Sequence, residues 1–369
     1  MTTPLSAIVL AAGEGTRMRS SRPKPLHLIC GRPMVMHVLH ALAELSVERT
    51  VVVVGHDAER VTKKVTEQSP SDLNVAFVEQ PVQRGTGDAV AVGLTAFNDD
   101  DLDDTSTVIV LPGDTPLLRP ATIADLVAQH EAANVAATVL TAVADDPTGY
   151  GRVIRGKDGS VLRVVEQRDA DTDELAITEV NTSIYCFRRD VLGPSLRMLS
   201  PDNSQGEYYL TDVIGVLRST GHRVGAVTVA DSAEIHGVND RWQLALAERE
   251  LRARTNRRWL LAGVTMLDPR QTFVDVTVDL GRDVTLYPGT ILQGRTVIGD
   301  GCDIGPDTRL VDCVVGEGAV VENSVCRDAE IGAGAIVGPY AALAPGSAVG
   351  RNARTGAFYT GVAEESDGR

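Results

Sequence analysis

Apolar positions along the first 240 residues follow two alternating rhythms. Short, nearly continuous aliphatic runs at 7–10, 50–54, 75–78 and 107–111 predict strands covered on both faces. Between them, 34–45 and 121–133 repeat their apolar residues at helical spacing. Strand and helix in alternation predict a parallel sheet with helices on both faces, where ligands collect beyond the carboxyl ends of the strands. Residues 240–261 keep helical spacing with no breaker, which predicts one long connecting helix. Its arginines alternate with glutamates, so a solvated face is expected rather than an RNA-binding one.

Beyond this helix the period becomes six. Leu280, Leu286, Leu292, Ile298, Ile304 and Leu310 fall six apart, and after a slip so do Val325, Ile331, Val337, Leu343 and Val349. Three such hexads close one coil of a parallel β-helix, with the aliphatic residue of each hexad inside.

Composition narrows the function. At 369 residues the chain can hold two cores, and a net charge of −15 argues against nucleic acid or an anionic membrane as partner. Cys30, Cys186, Cys302, Cys313 and Cys326 form no C-x-x-C pair and are odd in number, which fits a reducing cytoplasm. No apolar run reaches a membrane span, and the start MTTPLSAIVL lacks the basic residues of a signal peptide.

The chemistry should therefore lie in the loops after the strands. After the first comes LAAGEGTRMRSSRPKPLH, in which Ala11, Ala12, Gly13 and Gly15 leave backbone N–H groups free, with Arg17 and Lys24 close behind. Amides and two cations make a polyphosphate cradle. The glycine spacing fits neither a Walker A loop nor a dinucleotide fingerprint, whose third glycine is replaced by Met18. In EQPVQRGTGDAV, Gln80 with Gly85 and Thr86 suits a base edge, or Thr86 simply caps a helix. In PGDTPLL, Asp114 just past a strand end suits Mg²⁺, or serves a turn. Gly151, Glu166 and Asn181 lie among short strands and together suit the hydroxyl and acetamido groups of a sugar, although each alone has an ordinary role as turn, surface charge or cap. Tyr209 and Thr211 follow in GEYYLTDV, and Asn239 in IHGVND.

The string L-A-A-G-x-G-T-R-M followed by P-K-P-L resembles the signature of sugar-1-phosphate nucleotidyltransferases, and residues 1 to about 262 resemble the N-terminal domain of the bifunctional GlmU family, N-acetylglucosamine-1-phosphate uridyltransferases. The resemblance implies that Ala11, Ala12, Gly13, Gln80, Gly85 and Thr86 hold the uridine of UTP, and that Arg17 and Lys24 act on phosphates with Asp114. It implies Mg²⁺ on Asp114 and Asn239, and Gly151, Glu166, Asn181 and Thr211 on the sugar. Asp88 departs from the family's G-T-G-H turn, and is expected to set a negative charge beside the nucleotide. Another NTP, or another sugar or cyclitol phosphate, is the alternative substrate pair.

The expected fold is α/β: a Rossmann-like nucleotidyltransferase domain with a mostly parallel sheet over 1–239, a connecting helix over 240–262, a left-handed parallel β-helix over 263–355 and a disordered tail over 356–369. In the resembled family this β-helix trimerises, so a homotrimer is expected. The family's acetyltransfer site lies further along than Arg369, and its L-R-P-G turn reads LAPG here, with Ala344. Acetyltransferase activity is accordingly expected to be absent.

Overall fold

The computed structural model describes residues 4–97 and 106–361. The chain forms two compact units, the first ending at Leu244 and the second beginning at Ala245, with Leu28–Arg32 belonging to the second.

The strands of the first part are β1 (Leu5–Ala11), β2 (Leu28–Ile29), β3 (Arg32–Pro33), β4 (Val47–Val54), β5 (Val75–Glu79), β6 (Thr107–Pro112), β7 (Ala137–Val143), β8 (Arg152–Arg155), β9 (Val161–Val165), β10 (Glu179–Arg188) and β11 (Val224–Thr228). The main sheet runs β11-β7-β10-β6-β1-β4-β5, with β8 on β10 and β9 on β8. Strands β4 and β6 lie parallel on either side of β1, whereas β10 runs antiparallel to β6 and β7. The four predicted strand runs are the inner parts of β1, β4, β5 and β6. Helices α1 (Met34–Ala43), α2 (Ala58–Gln68), α3 (Thr86–Leu94) and α4 (Pro120–Ala133) follow those strands in turn. Later come α5 (Thr172–Leu175), α6 (Arg189–Leu196), α7 (Asp212–Ser219) and α8 (Arg241–Leu261).

Because successive strand side chains point to opposite faces, one apolar strand feeds two cores. Leu5, Ala7, Val9 and Ala11 of β1 join Leu39, Val61 and Leu126 from α1, α2 and α4 on one face. Ile8 and Val53 meet Val90, Leu192 and Ile214 from α3, α6 and α7 on the other. The sheet also places the loops: β1 has neighbours on both sides, so the turns after β1 and β6 leave the same edge of the sheet at a topological switch point. Gly113 N–H bonds Leu10 O at 2.8 Å, which holds the start of the β6 loop against the end of β1.

The second unit stacks short parallel strands into three sheets, the parallel β-helix that the hexad period predicts and consistent with the left-handed form that the resemblance implies. Its core contains Leu280, Leu286, Leu292, Ile298, Ile304 and Leu310, as expected. After the slip, the inward column reads Val315, Val321, Cys326, Ile331, Val337, Leu343 and Val349. Val325, expected inside, faces outward at 42% exposure, and Cys326 takes its place at 0%. The cause is coil length: Leu310 pairs with Cys326 across a coil two residues shorter than the one joining Leu292 to Leu310.

Part of the expected disordered tail is built in: Thr360–Gly361 pairs with Ala342–Leu343, and Phe358 N–H bonds Pro339 O at 3.0 Å. The rest of that segment, 362–369, lies outside the described residues. Among the described residues no helix is long and apolar enough to cross a membrane.

Candidate active site

A cleft of about 740 Å³ opens at the carboxyl ends of β1 and β6. Its walls include Ala12, Gly13 and Arg17 from the first turn, Gln80, Gly85 and Thr86 from the β5–α3 loop, Asp114 from the β6 loop, and Asn181 and Asn239.

The first turn works by bringing Lys24 close. Gly15 adopts φ +64°, and a Cβ there would stand 2.6 Å from Lys24 Cβ, so glycine lets the Lys24–Leu26 turn fold back against it. The Lys24 ammonium then donates to Asp114 Oδ2 and, at 2.7 Å, to Asn239 Oδ1. Arg17 Nη2 donates to the same Asn239 oxygen at 3.0 Å. Two cations, a carboxylate and an amide oxygen, drawn from four places in the sequence, thus converge at one end of the cleft.

The loop carrying Asn239 is fixed from both sides. Val238 N–H bonds Asp114 O at 2.9 Å, and Asn239 N–H bonds Gln243 Oε1 at 2.7 Å. Gln243 in turn donates its backbone N–H to Asp240 Oδ1 at 2.8 Å. The D-x-x-Q spacing that opens α8 was therefore a legible signal for a residue the sequence reading missed.

The β5–α3 loop is clasped to the backbone at Tyr208. Gly87 N–H bonds Tyr208 O at 2.7 Å, and a Cβ on Gly85 would stand 2.6 Å from that oxygen. Gly85, not Thr86, occupies the cap position of α3, while Thr86 Oγ1 accepts from Leu210 N–H at 3.0 Å.

Five of the expected residues do not line the cleft. Lys24 reaches it only through its bonds to Asp114 and Asn239. Ala11 is buried at the end of β1. Gly151 packs against Val164, and its carbonyl accepts from Asn181 N–H at 2.9 Å. Glu166 and Thr211 bond each other at 3.1 Å. Burial raises the carboxyl pKa of Glu166 above its ordinary value, with the Thr211 hydroxyl opposing and Asp212, Asp169 and Glu207 reinforcing the rise. In their place the wall carries Thr148, Gly149, Tyr150, Ser183 and Glu207, which sequence reading did not single out. Burial, and then the Asp114 charge, raise the Tyr150 phenol pKa.

Asp114 and Asn239 already present their oxygens to one cation, the Lys24 ammonium, so the donor set suits a positive charge. Among the described residues no three His, Cys, Asp or Glu side chains gather as metal ligands. A divalent ion here would complete its shell with phosphate oxygens and water, as Mg²⁺ commonly does.

The chain is similar to known nucleotidyl transferases. A family model described as nucleotidyl transferase matches residues 6–253. "Bifunctional protein GlmU" of Streptomyces avermitilis is 49% identical over 356 residues, covering 96% of this chain and 73% of the relative. The protein of that name from Thermobifida fusca is 50% identical over 329 residues, with 89% and 67% covered. The one from Shouchella clausii is 46% identical over 354 residues, with 95% and 75% covered.

Proposed function

The chain belongs to the bifunctional GlmU family of nucleotidyl transferases, and from that premise we propose that it transfers a uridylyl group from UTP to N-acetylglucosamine-1-phosphate with Mg²⁺, giving UDP-N-acetylglucosamine and pyrophosphate. The observation that carries this reading is the convergence of Lys24, Arg17, Asp114 and Asn239 at the mouth of strands β1 and β6.

The chemistry follows from charge. An oxygen of the sugar-1-phosphate attacks the α-phosphorus of the triphosphate, a new P–O bond forms, and the bond to the β-phosphate bridging oxygen breaks, its electron pair leaving with pyrophosphate. The attacking oxygen is ionised at neutral pH, so no general base is needed, and no histidine has to stand at the reacting centre. The site must instead align two anions that repel each other. Lys24 and Arg17 supply fixed positive charge to the phosphates, and Asp114 with Asn239 would hold Mg²⁺. The ion, when bound, neutralises charge on the leaving pyrophosphate.

Ala11, Ala12, Gly13, Gln80, Gly85 and Thr86 are assigned to the uridine, and Gly151, Glu166, Asn181 and Thr211 to the sugar. Of these, Ala11, Gly151, Glu166 and Thr211 would act by shaping the wall rather than lining it. A homotrimer through the β-helix and a cytoplasmic location complete the proposal. Acetyl transfer is excluded from it because Ala344 stands where the family's turn carries arginine.

The test is pyrophosphate release over a panel of NTPs and sugar-1-phosphates, with and without a chelator. Turnover is expected with UTP and N-acetylglucosamine-1-phosphate, lost on chelation and restored by Mg²⁺, with no CoA released from acetyl-CoA and glucosamine-1-phosphate. A clear preference for another NTP or another sugar or cyclitol phosphate would keep the reaction and replace the substrates.

A further inference from the structure

Gln80 lines the cleft and is only 3% exposed. Its amide nitrogen carries two hydrogens, and both are taken: Gly85 O accepts at 3.3 Å and Asp88 Oδ2 at 2.7 Å. A carbonyl and a carboxylate accept and do not donate, so chemistry alone fixes which end of the amide faces them. Turned over, the amide would set its oxygen against two others. Gln80 Oε1 takes no hydrogen bond from the described residues and is not sealed from solvent. It is the only part of the amide left for a ligand.

Asp88 does not itself line the cleft. It sits in the first turn of α3, where the helix end favours a carboxylate. The expectation that its charge lies against the nucleotide is therefore corrected: the charge is directed at Gln80.

We infer that Asp88 is a positioning residue that sets the base preference of the cleft. By holding the Gln80 amide it leaves an acceptor alone on the wall, so the site takes a base edge that offers a ring N–H, as the lactam of uracil does. Cytosine presents a bare ring nitrogen at the same place, which would leave two acceptors facing each other without a partner. The inference rests on the proposed nucleotidyl transfer and on Gln80 meeting the base.

The test is the ratio of kcat/KM for UTP over CTP, read by pyrophosphate release with saturating N-acetylglucosamine-1-phosphate. Both values come from the same preparation, so any loss of folded protein cancels. The unaltered protein is expected to favour UTP by about 10²-fold or more. In Asp88→Ala only the longer bond to Gly85 O, at 3.3 Å, still opposes turning the amide over, and the ratio falls at least about tenfold. Asp88→Asn, whose own amide can turn its oxygen toward Gln80, retains most of it. An unchanged ratio in Asp88→Ala, or a preference for CTP in the unaltered protein, overturns the assignment while leaving nucleotidyl transfer standing. A protein inert with every nucleotide refutes that parent reading and this one with it.

Discussion

At the scale of single residues, Lys24 is the hinge of the site. Its ammonium is shared between Asp114 and Asn239, and it reaches them because Gly15 has no Cβ. Asp114 and Asn239 keep this cation at one end of the cleft, and in the proposed complex, where they would hold Mg²⁺ instead, the ammonium turns to the phosphates whose charge it offsets. Lys24→Ala and Asp114→Ala are each expected to lower pyrophosphate release by about 10²- to 10³-fold, with the thermal unfolding curve unshifted by more than a few degrees. Activity within a factor of ten of the unaltered protein in either variant would remove these residues from the centre. The four converging residues were legible in the sequence because each follows a strand or sits in a dense motif. Thr148, Tyr150 and Ser183 were not, since their places on the wall depend on how distant loops meet. Ser183 gives a partial clue in the structure alone: it adopts φ +62°, an uncommon conformation for a residue with a side chain.

At the scale of elements, alternation and period carried most of the fold. Continuous aliphatic runs marked β1, β4, β5 and β6, because strands with helices on both faces have no polar side to interrupt them. The antiparallel β10 was beyond this reasoning: nothing in its composition says that the chain returns through the β8 and β9 pair before reaching β6. The β-helix shows the limit in another way. Its hexads were read from aliphatic residues, so where cysteine fills the inward position the count drifted by one and chose Val325. The structure predicts opposite outcomes for neighbours. Cys326→Asp places a charge in the coil interior and is expected to cost at least about 2 kcal/mol. Val325→Asp, facing out, is expected to stay within about 0.5 kcal/mol. Chemical denaturation of the two variants distinguishes them, and equal losses would mean that the register is wrong.

At the scale of the whole molecule, the question is what the outer face of the β-helix is for. In each two-residue strand the first side chain faces out and the second in, so the outer surface can be read directly. On one sheet the outward positions in register are Asp279, Val297, Val314, Glu330 and Ala348. Val297 and Val314 are 42% and 52% exposed, side by side, with carboxylates above and below. Tyr340 and Phe358 stack at 5.3 Å elsewhere on the same unit, and both are exposed. In the proposed trimer this apolar pair with its charged rim is the surface expected to be covered. A closed three-fold assembly would cover the same patch on every copy without leaving an open end, as cyclic symmetry requires. Light scattering is therefore expected to give three times the 39.2 kDa of one chain. Replacing Val297 and Val314 together by glutamate should return the monomer mass with the fold intact, since both side chains already face outward. If the unaltered protein is a monomer over the whole accessible concentration range, the valine pair has another purpose and the trimer is excluded. If it is a trimer that the double glutamate variant leaves untouched, the interface lies on a different sheet. Pyrophosphate release measured on the dissociated variant then separates assembly from chemistry. All the converging groups belong to one chain's first unit, so turnover per chain is expected to survive the loss of the trimer.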